Sequence, residues 1–319
     1  METQSLWVLG APDPEMEEIE ALLRNAGERY AYALVDGERV RPEKAYRGTA
    51  HRYAVDCGPP GEAENWFLVE CQVPTPDCAR VVHLDHHRPG DPGFGRPPAE
   101  FLGASSIGQV VAGLARLTLP PQSWDRLPWI VPEQAAPGVF TAPGTQPGTD
   151  DPDWWVGICG AIARVPVDLV LAAAADHCLG AAYDGQCPGV DPDALMLWRA
   201  ASRAKFQNRA VEDVLADIEA TTTALRAAPR LPLGEGVEVA DMRREPPYPE
   251  LPEAATRLGI GYIAGPLVGP DGRRKYTCSG EPEQVSEFMS WARTEGLKDT
   301  YGDPARGFAG AYEVAGRAP

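Results

Sequence analysis

Residues 81–111, VVHLDHHRPGDPGFGRPPAEFLGASSIGQVV, constrain the fold of this chain more than any other stretch. Val81, Val82 and Leu84 read as a buried strand, and it runs directly into Asp85-His86-His87. A loop rich in Gly and Pro follows. Gly103-Ala104-Ser105-Ser106 then opens an apolar, helix-like stretch. Strand, loop and helix in this order belong to an α/β sheet, where ligands sit outside the strand C-termini. An acid and two imidazoles at such an end are placed to ligate a metal. Small residues and hydroxyls at a helix start suit a phosphate, because free N–H groups and the macrodipole favour an anion there. The alternative is a solvated acid beside two structural histidines.

The rest of the chain supplies more of the same architecture. Residues 5–10, SLWVLG, read as a short buried strand, and Gly10 to Glu15 as an acidic turn. Met16, Ile19, Leu22 and Leu23 then recur at helical spacing, with Gly27 as a stop. That is the opening of a parallel α/β unit. Further strands are expected at residues 30–36, 51–55 and 66–70, the last ending in Glu70. Residues 119–153 are dense in Pro and Gly without a period and read as a surface insertion or lid. Residues 155–182 are apolar and Ala-rich, and read as helices covering the sheet, with Asp176-His177 inside them. An acid in an apolar helix is costly unless it is paired or binds a metal.

Residues 192–228 carry a long helical pattern, and residues 229–236 break it. The remainder reads as strand, helix, strand, a turn at Pro270-Asp271-Gly272, strand, helix and a last strand. Near its end lies GDPARGFAG, residues 302–310. Glycine lets backbone N–H groups approach a phosphate closely, and Arg306 beside Gly307 is placed to clamp its oxygens. The expected fold is therefore α/β: a mostly parallel sheet covered by helices, with a second, smaller α+β domain. The expected boundaries are a first domain over 1–205, a connecting helix and linker over 206–235, and a second domain over 236–319.

The chain has 319 residues and a formal charge of −17, with 44% hydrophobic and 24% charged residues. That composition reads as globular. The acidity argues against a long duplex nucleic acid as partner, since backbone binding relies on Lys and Arg. A small anionic substrate held by metals is compatible with it. No apolar run approaches the roughly 20 residues of a spanning helix, and residues 1–10 lack a secretory pattern. The expectation is a cytoplasmic protein with no membrane partner; a homodimer is allowed. The seven cysteines include no Cys-x-x-Cys, so buried thiols are expected rather than a zinc finger.

Asp85-His86-His87, followed by Glu100 and GASSIGQVV, resembles the DHH phosphoesterase superfamily. The glycine-rich segment resembles the substrate loop of the C-terminal domain that accompanies many of its members, without the usual His. The resemblance implies a first motif of a His and then Asp-x-Asp at a turn. Asp13 and Glu15 fall on the acidic positions, and Leu9 stands where the His would be. It implies a second acid at a strand end, for which Glu70 is the candidate and Asp56 the rival, and a fourth motif at Asp176. On this basis Glu70 bridges two Mn²⁺ or similar ions, Asp13 serves one, and Glu15, His86 and Asp176 serve the other. His87 would face the phosphate and Asp85 would orient a ligand histidine. Gly103, Ala104, Ser105, Ser106, Arg306 and Gly307 would hold the substrate. Two ions about 4 Å apart stabilise both attacking and leaving oxygens of a displacement. The implied activity is metal-dependent hydrolysis of a phosphodiester or phosphoanhydride in a nucleotide, short oligonucleotide or similar small molecule. The alternative is a degenerate relative that binds such a ligand without turnover, which Leu9, Glu15 and Glu70 favour. An acidic interaction module with a chance motif is the third reading.

Overall fold

The computed structural model describes residues 5–42, 44–46, 52–55, 63–117, 154–158, 161–165, 167–244, 246–268, 272–304 and 307–313. Asp56, the 119–153 insertion and Arg306 lie outside the described residues. The fold is α/β, with two mixed sheets covered by helices. The chain divides into two compact units, Met1–Arg199 and Ala200–Pro319.

The first unit contains β1 (Ser5–Leu9), α1 (Pro14–Asn25), β2 (Tyr30–Val35), β3 (Glu38–Arg39), β4 (Arg52–Val55), β5 (Asn65–Val69) and β6 (Arg80–Leu84). Then come α2 (Phe101–Ala104), α3 (Ser106–Leu117), β7 (Trp154–Ile158), β8 (Ala161–Val165) and α4 (Val167–Tyr183). The unit boundary falls inside α5 (Pro192–Gln207). The strand order is β3-β2-β1-β5-β6, with β4 also paired to β2. β1 runs parallel to β2 and β5, and β5 parallel to β6. β3 and β4 run antiparallel to β2.

Every residue of β1 and β5 is buried. Successive side chains point to opposite faces, so both faces must be covered, which explains the unbroken apolar runs. Trp7, Leu9, Phe67 and Val69 join a core with Met16 and Ile19 of α1, Ile107 and Val110 of α3, and Leu169 to Ala175 of α4. Leu6, Val8, Trp66 and Leu68 join a second core with Ala31, Ala33 and Val40. Trp7 stacks on Phe67 with ring centroids 4.1 Å apart, a contact worth about 1 kcal/mol beyond its area.

Two expectations need correction. β6 is the last strand in the order, and only Leu84 of its five residues is buried. It is a half-exposed edge, not a buried strand, although it still ends at Asp85. Residues 154–158 and 161–165 pair as antiparallel strands, β7 and β8, rather than forming a helix. A short apolar run has no period that separates the two. α4 forms as expected but is not regular: Cys178, with φ −157° and ψ 50°, breaks it two residues after Asp176.

The second unit holds α6 (Val211–Ala227), β9 (Arg230–Gly234), β10 (Val237–Arg243), α7 (Leu251–Leu258), β11 (Tyr262–Val268), β12 (Arg274–Ser279), α8 (Pro282–Thr294), β13 (Lys298–Asp303) and β14 (Phe308–Tyr312). The order is β13-β14-β12-β11-β10-β9. Val285, Phe288 and Ala292 of α8 pack on Val239, Ile263, Cys278, Ala309 and Ala311. Asn208, at φ 53°, splits the expected long helix into α5 and α6. Residues 206–235, expected as a connecting helix and linker, hold α6 and β9. Thr221 Oγ1 donates to the Pro249 carbonyl at 2.6 Å, and buried Glu250 accepts from Gln207 at 2.7 Å and from Arg203. Pro229 and Pro232 read as breakers, yet β9 is a strand, because an edge tolerates a residue without an N–H.

Candidate metal centre

The site is assembled where β1, β5 and β6 end. Glu70 follows β5 at φ 49°, a left-handed conformation uncommon for a residue with a side chain and concentrated at functional positions. Its amide donates to the Leu84 carbonyl at 3.1 Å, which levels the ends of β5 and β6. Gly10, just past β1, lies so close that a Cβ would overlap the Glu70 carbonyl.

Asp85 organises the next two residues. Its Oδ1 accepts from the amides of His86 and His87 at 2.7 and 3.1 Å and from His87 Nδ1 at 3.0 Å. Gln109 of α3 clamps the same residue from behind. Its Oε1 accepts from the Asp85 amide at 3.0 Å, and its Nε2 donates to the carbonyls of Asp85 at 3.0 Å and Ala104 at 2.8 Å. The Gly/Pro-rich loop folds back beneath, with Gly93 N–H on the Asp85 carbonyl at 3.0 Å. A Cβ on Gly93 would overlap the Ala104 carbonyl and crowd His86.

Asp176 reaches the site from α4, and its Oδ2 lies 2.9 Å from His86 Nε2. Glu70, His86, His87 and Asp176 each offer a ligand atom, and all four atoms lie within 4.8 Å of one another. Glu70 and His86 are buried, His87 is half-buried and the Asp176 side chain is 28% exposed. With Nδ1 bonded to Asp85, Nε2 is the nitrogen His87 has left to ligate. His86 Nδ1 lies 3.2 Å from Ser106 Oγ, and that hydroxyl also bonds Glu70. Such an outer hydrogen bond fixes a ligand histidine's ring and tautomer.

The electrostatics describe a pocket with more carboxylate than its own cations offset. Burial, then repulsion from Asp176 and Asp13, pushes the Glu70 carboxyl up to about 8. Burial and Asp176 push Asp13 up to about 6. Burial, Asp176 and Glu70 raise Glu15 well above the carboxylate range. Burial would also raise Asp176, but hydrogen bonding and attraction from His86 hold it below its ordinary value. Burial disfavours the His87 cation, yet the Asp85 hydrogen bond and the Glu70 and Asp176 charges push it up to about 9. Burial works against the Asp85 carboxylate too, and bonds from the His87 side chain and amide outweigh it. Glu70 Oε1 and Glu15 Oε2 are buried without a hydrogen-bond donor. The orphaned Glu70 oxygen, Asp176 and two imidazoles form a donor set that suits a first-row dication, so the residues present fit a metal ion.

The remaining expected residues divide. Asp13 and Glu15 are coupled to Asp176 electrostatically but lie outside the four-residue group. Asp13 caps α1, accepting from the Met16 amide at 2.7 Å. Glu15 Oε1 accepts from the Ile107 amide at 2.9 Å. Leu9 is fully buried in the core. Glu100 pairs with Arg96 at 3.4 Å instead of entering the group.

Gly103 to Ser106, expected to hold the substrate, make internal contacts. Ser105 and Ser106 are fully buried. Ser105 Oγ accepts from the Gly108 amide at 3.1 Å and donates to the Leu102 carbonyl at 3.0 Å. Amides in the first turn of α3 are thus taken by Ser105 and by the Glu15 carboxyl, an internal acceptor in the place of the expected phosphate. Gly103 lies within α2, and the Ala104 carbonyl is held by Gln109. The Gly307 amide donates to the Pro304 carbonyl at 3.1 Å, beside the paired strands β13 and β14.

Sequence reasoning missed Gln109 and Tyr46. Gln109 left a signal, as a buried amide inside the apolar run of α3. Tyr46, which hydrogen-bonds Asp85 and carries the Arg88 guanidinium 3.7 Å over its ring, left none. Compared with known proteins, the chain matches no family model, no curated protein and no solved structure.

Proposed function

We propose that this chain is a divergent DHH-type phosphoesterase that uses divalent ions, Mn²⁺ foremost, to hydrolyse a small phosphorylated substrate such as a nucleotide or short oligonucleotide. The observation that carries the reading is the convergence of Glu70, His86, His87 and Asp176, from three separate segments, within 4.8 Å. These four would hold one ion. Asp13 and the orphaned Glu70 oxygen would serve a second, with Glu15 beside Asp176. When bound, such ions polarise a phosphoryl oxygen and lower the pKa of water. The chain's own groups do the positioning. Asp85 fixes the His87 ring, Gln109 fixes Asp85, and Ser106 joins His86 to Glu70. A formal charge of −17 favours a small substrate over a long polyanion.

Leu9 favours a second reading, binding without turnover, because a buried leucine at the end of β1 offers no ligand. It makes the second ion the weaker one, so activity should rise steeply with Mn²⁺ concentration. The test is a panel of nucleotides, short oligonucleotides and pyrophosphate assayed with Mn²⁺, for wild type and His86→Ala. Turnover lost in His86→Ala is expected. Mn²⁺-dependent binding without turnover would select the second reading, and neither binding nor turnover would overturn both.

A further inference from the structure

Cys178 is the residue at which α4 loses helical geometry. The chain continues through Tyr183 and then turns at Asp184 to Gly189, held by the Gly185 amide on the Ala182 carbonyl and the Gln186 amide on the Ala181 carbonyl. Of the residues in that turn only Cys187 is buried. Its Sγ lies 3.0 Å from Cys178 Sγ, about 1 Å beyond the covalent S–S length of about 2.05 Å. Both cysteines are free thiols, and Cys178 is partly accessible whereas Cys187 is not. Asp176 and His177 immediately precede this pair on the same distorted turn. His177 Nε2 lies 3.3 Å from the Arg96 carbonyl, and its ring packs edge-on against His86 at 5.1 Å.

We infer that Cys178 and Cys187 form a reversible disulfide, by exchange with a low-molecular-weight disulfide such as oxidised glutathione, which locks the turn that carries Asp176. The Cys178 thiolate attacks one sulfur of the oxidant, whose S–S bond breaks and expels one thiolate. The Cys187 thiolate then attacks Cys178 Sγ and expels the second. Two electrons pass from the cysteine pair to the oxidant. The two protons of the cysteine thiols end on the two small thiols released. Access sets the order, because only Cys178 can meet the oxidant. A bond across the kink leaves Asp176 where it already meets His86, so part of the ordering that ion binding requires is done beforehand. This second consequence rests on the metal reading above; the disulfide itself does not.

The experiment equilibrates the reduced full-length chain with glutathione buffers of rising oxidised share, traps free thiols by alkylation and maps the peptides. A Cys178–Cys187 cross-link is expected, with the intact mass falling by two hydrogens and recovering on reduction. Cys187→Ser should accumulate a glutathione adduct on Cys178, whereas Cys178→Ser should leave Cys187 unmodified. Absence of the cross-link in fully oxidised buffer, or adduct formation at Cys187 in Cys178→Ser, would overturn the inference. Mn²⁺ calorimetry on the oxidised and reduced forms tests the coupling, with tighter binding by about 5-fold expected after oxidation. Equal affinities would overturn the coupling. No Mn²⁺ binding in either form would overturn the metal reading instead, and peptide mapping would still decide the disulfide.

Discussion

Replacing Glu70 by Gln should stabilise the metal-free protein while removing its affinity for metal. Glu70 is buried, has an orphaned oxygen, and faces Asp176 and Asp13. Its carboxyl ionises near the ordinary 4.5 in the unfolded chain and near 8 in the fold. A raised folded pKa gives stability that is fully present below about 4.5 and is lost as pH rises through about 8. At pH 7 the fold holds a proton about 2.5 pH units above the ordinary 4.5. At about 1.36 kcal/mol per pH unit, that costs about 3 kcal/mol. His87 acts in the same direction, losing stability between 6.5 and about 9, and Glu70 is one of the charges that raise it. Glu70→Gln should therefore flatten the fall with pH twice over. Chemical denaturation of metal-stripped wild type and variant from pH 5 to 9 reads this directly. The curves should meet near pH 5 and diverge to about 3 kcal/mol in the variant's favour by pH 7. Saturating Mn²⁺ should restore the wild type and not the variant. Parallel curves, or a variant less stable at pH 7 than wild type, would refute the electrostatic account.

Two further substitutions probe how the site is held. Gln109→Leu leaves the buried Asp85 amide without its acceptor and takes a donor from each of the Asp85 and Ala104 carbonyls, which should cost about 1–3 kcal/mol and weaken Mn²⁺ binding about 10-fold or more, by denaturation and calorimetry. Asp85→Ala removes the acceptor for His87 Nδ1, so the His87 pKa should fall from about 9 towards 6.5 in an NMR titration of the ring protons. An unmoved titration would show that Asp85 does not set the charge of His87.

Much of the first unit was legible in the chain. The apolar runs at β1 and β5 are visible because central strands must be apolar on both faces, and Glu70 and Asp85-His86-His87 stand out as the polar residues on which the runs at 66–69 and 81–84 end. Asp176 was legible for a related reason, as a charge in an otherwise apolar helix. What escaped depends on contacts between distant residues. A serine-rich helix start advertises an anion site, but nothing in it tells that Glu15, 92 residues away from Ile107, fills the place. The paired strands β7 and β8 escaped because a short apolar segment has no period to betray it, and β9 because proline signals a break whether or not the strand is at an edge. Cys178 and Cys187 read as two isolated thiols until the kink brought them together.

The central claim is a metal centre at the ends of β5 and β6, and anomalous diffraction from crystals grown with Mn²⁺ tests it most directly. A strong manganese peak bounded by Glu70, His86, His87 and Asp176 is expected, with a weaker second peak towards Asp13. No peak among those four side chains at saturating Mn²⁺ would contradict it.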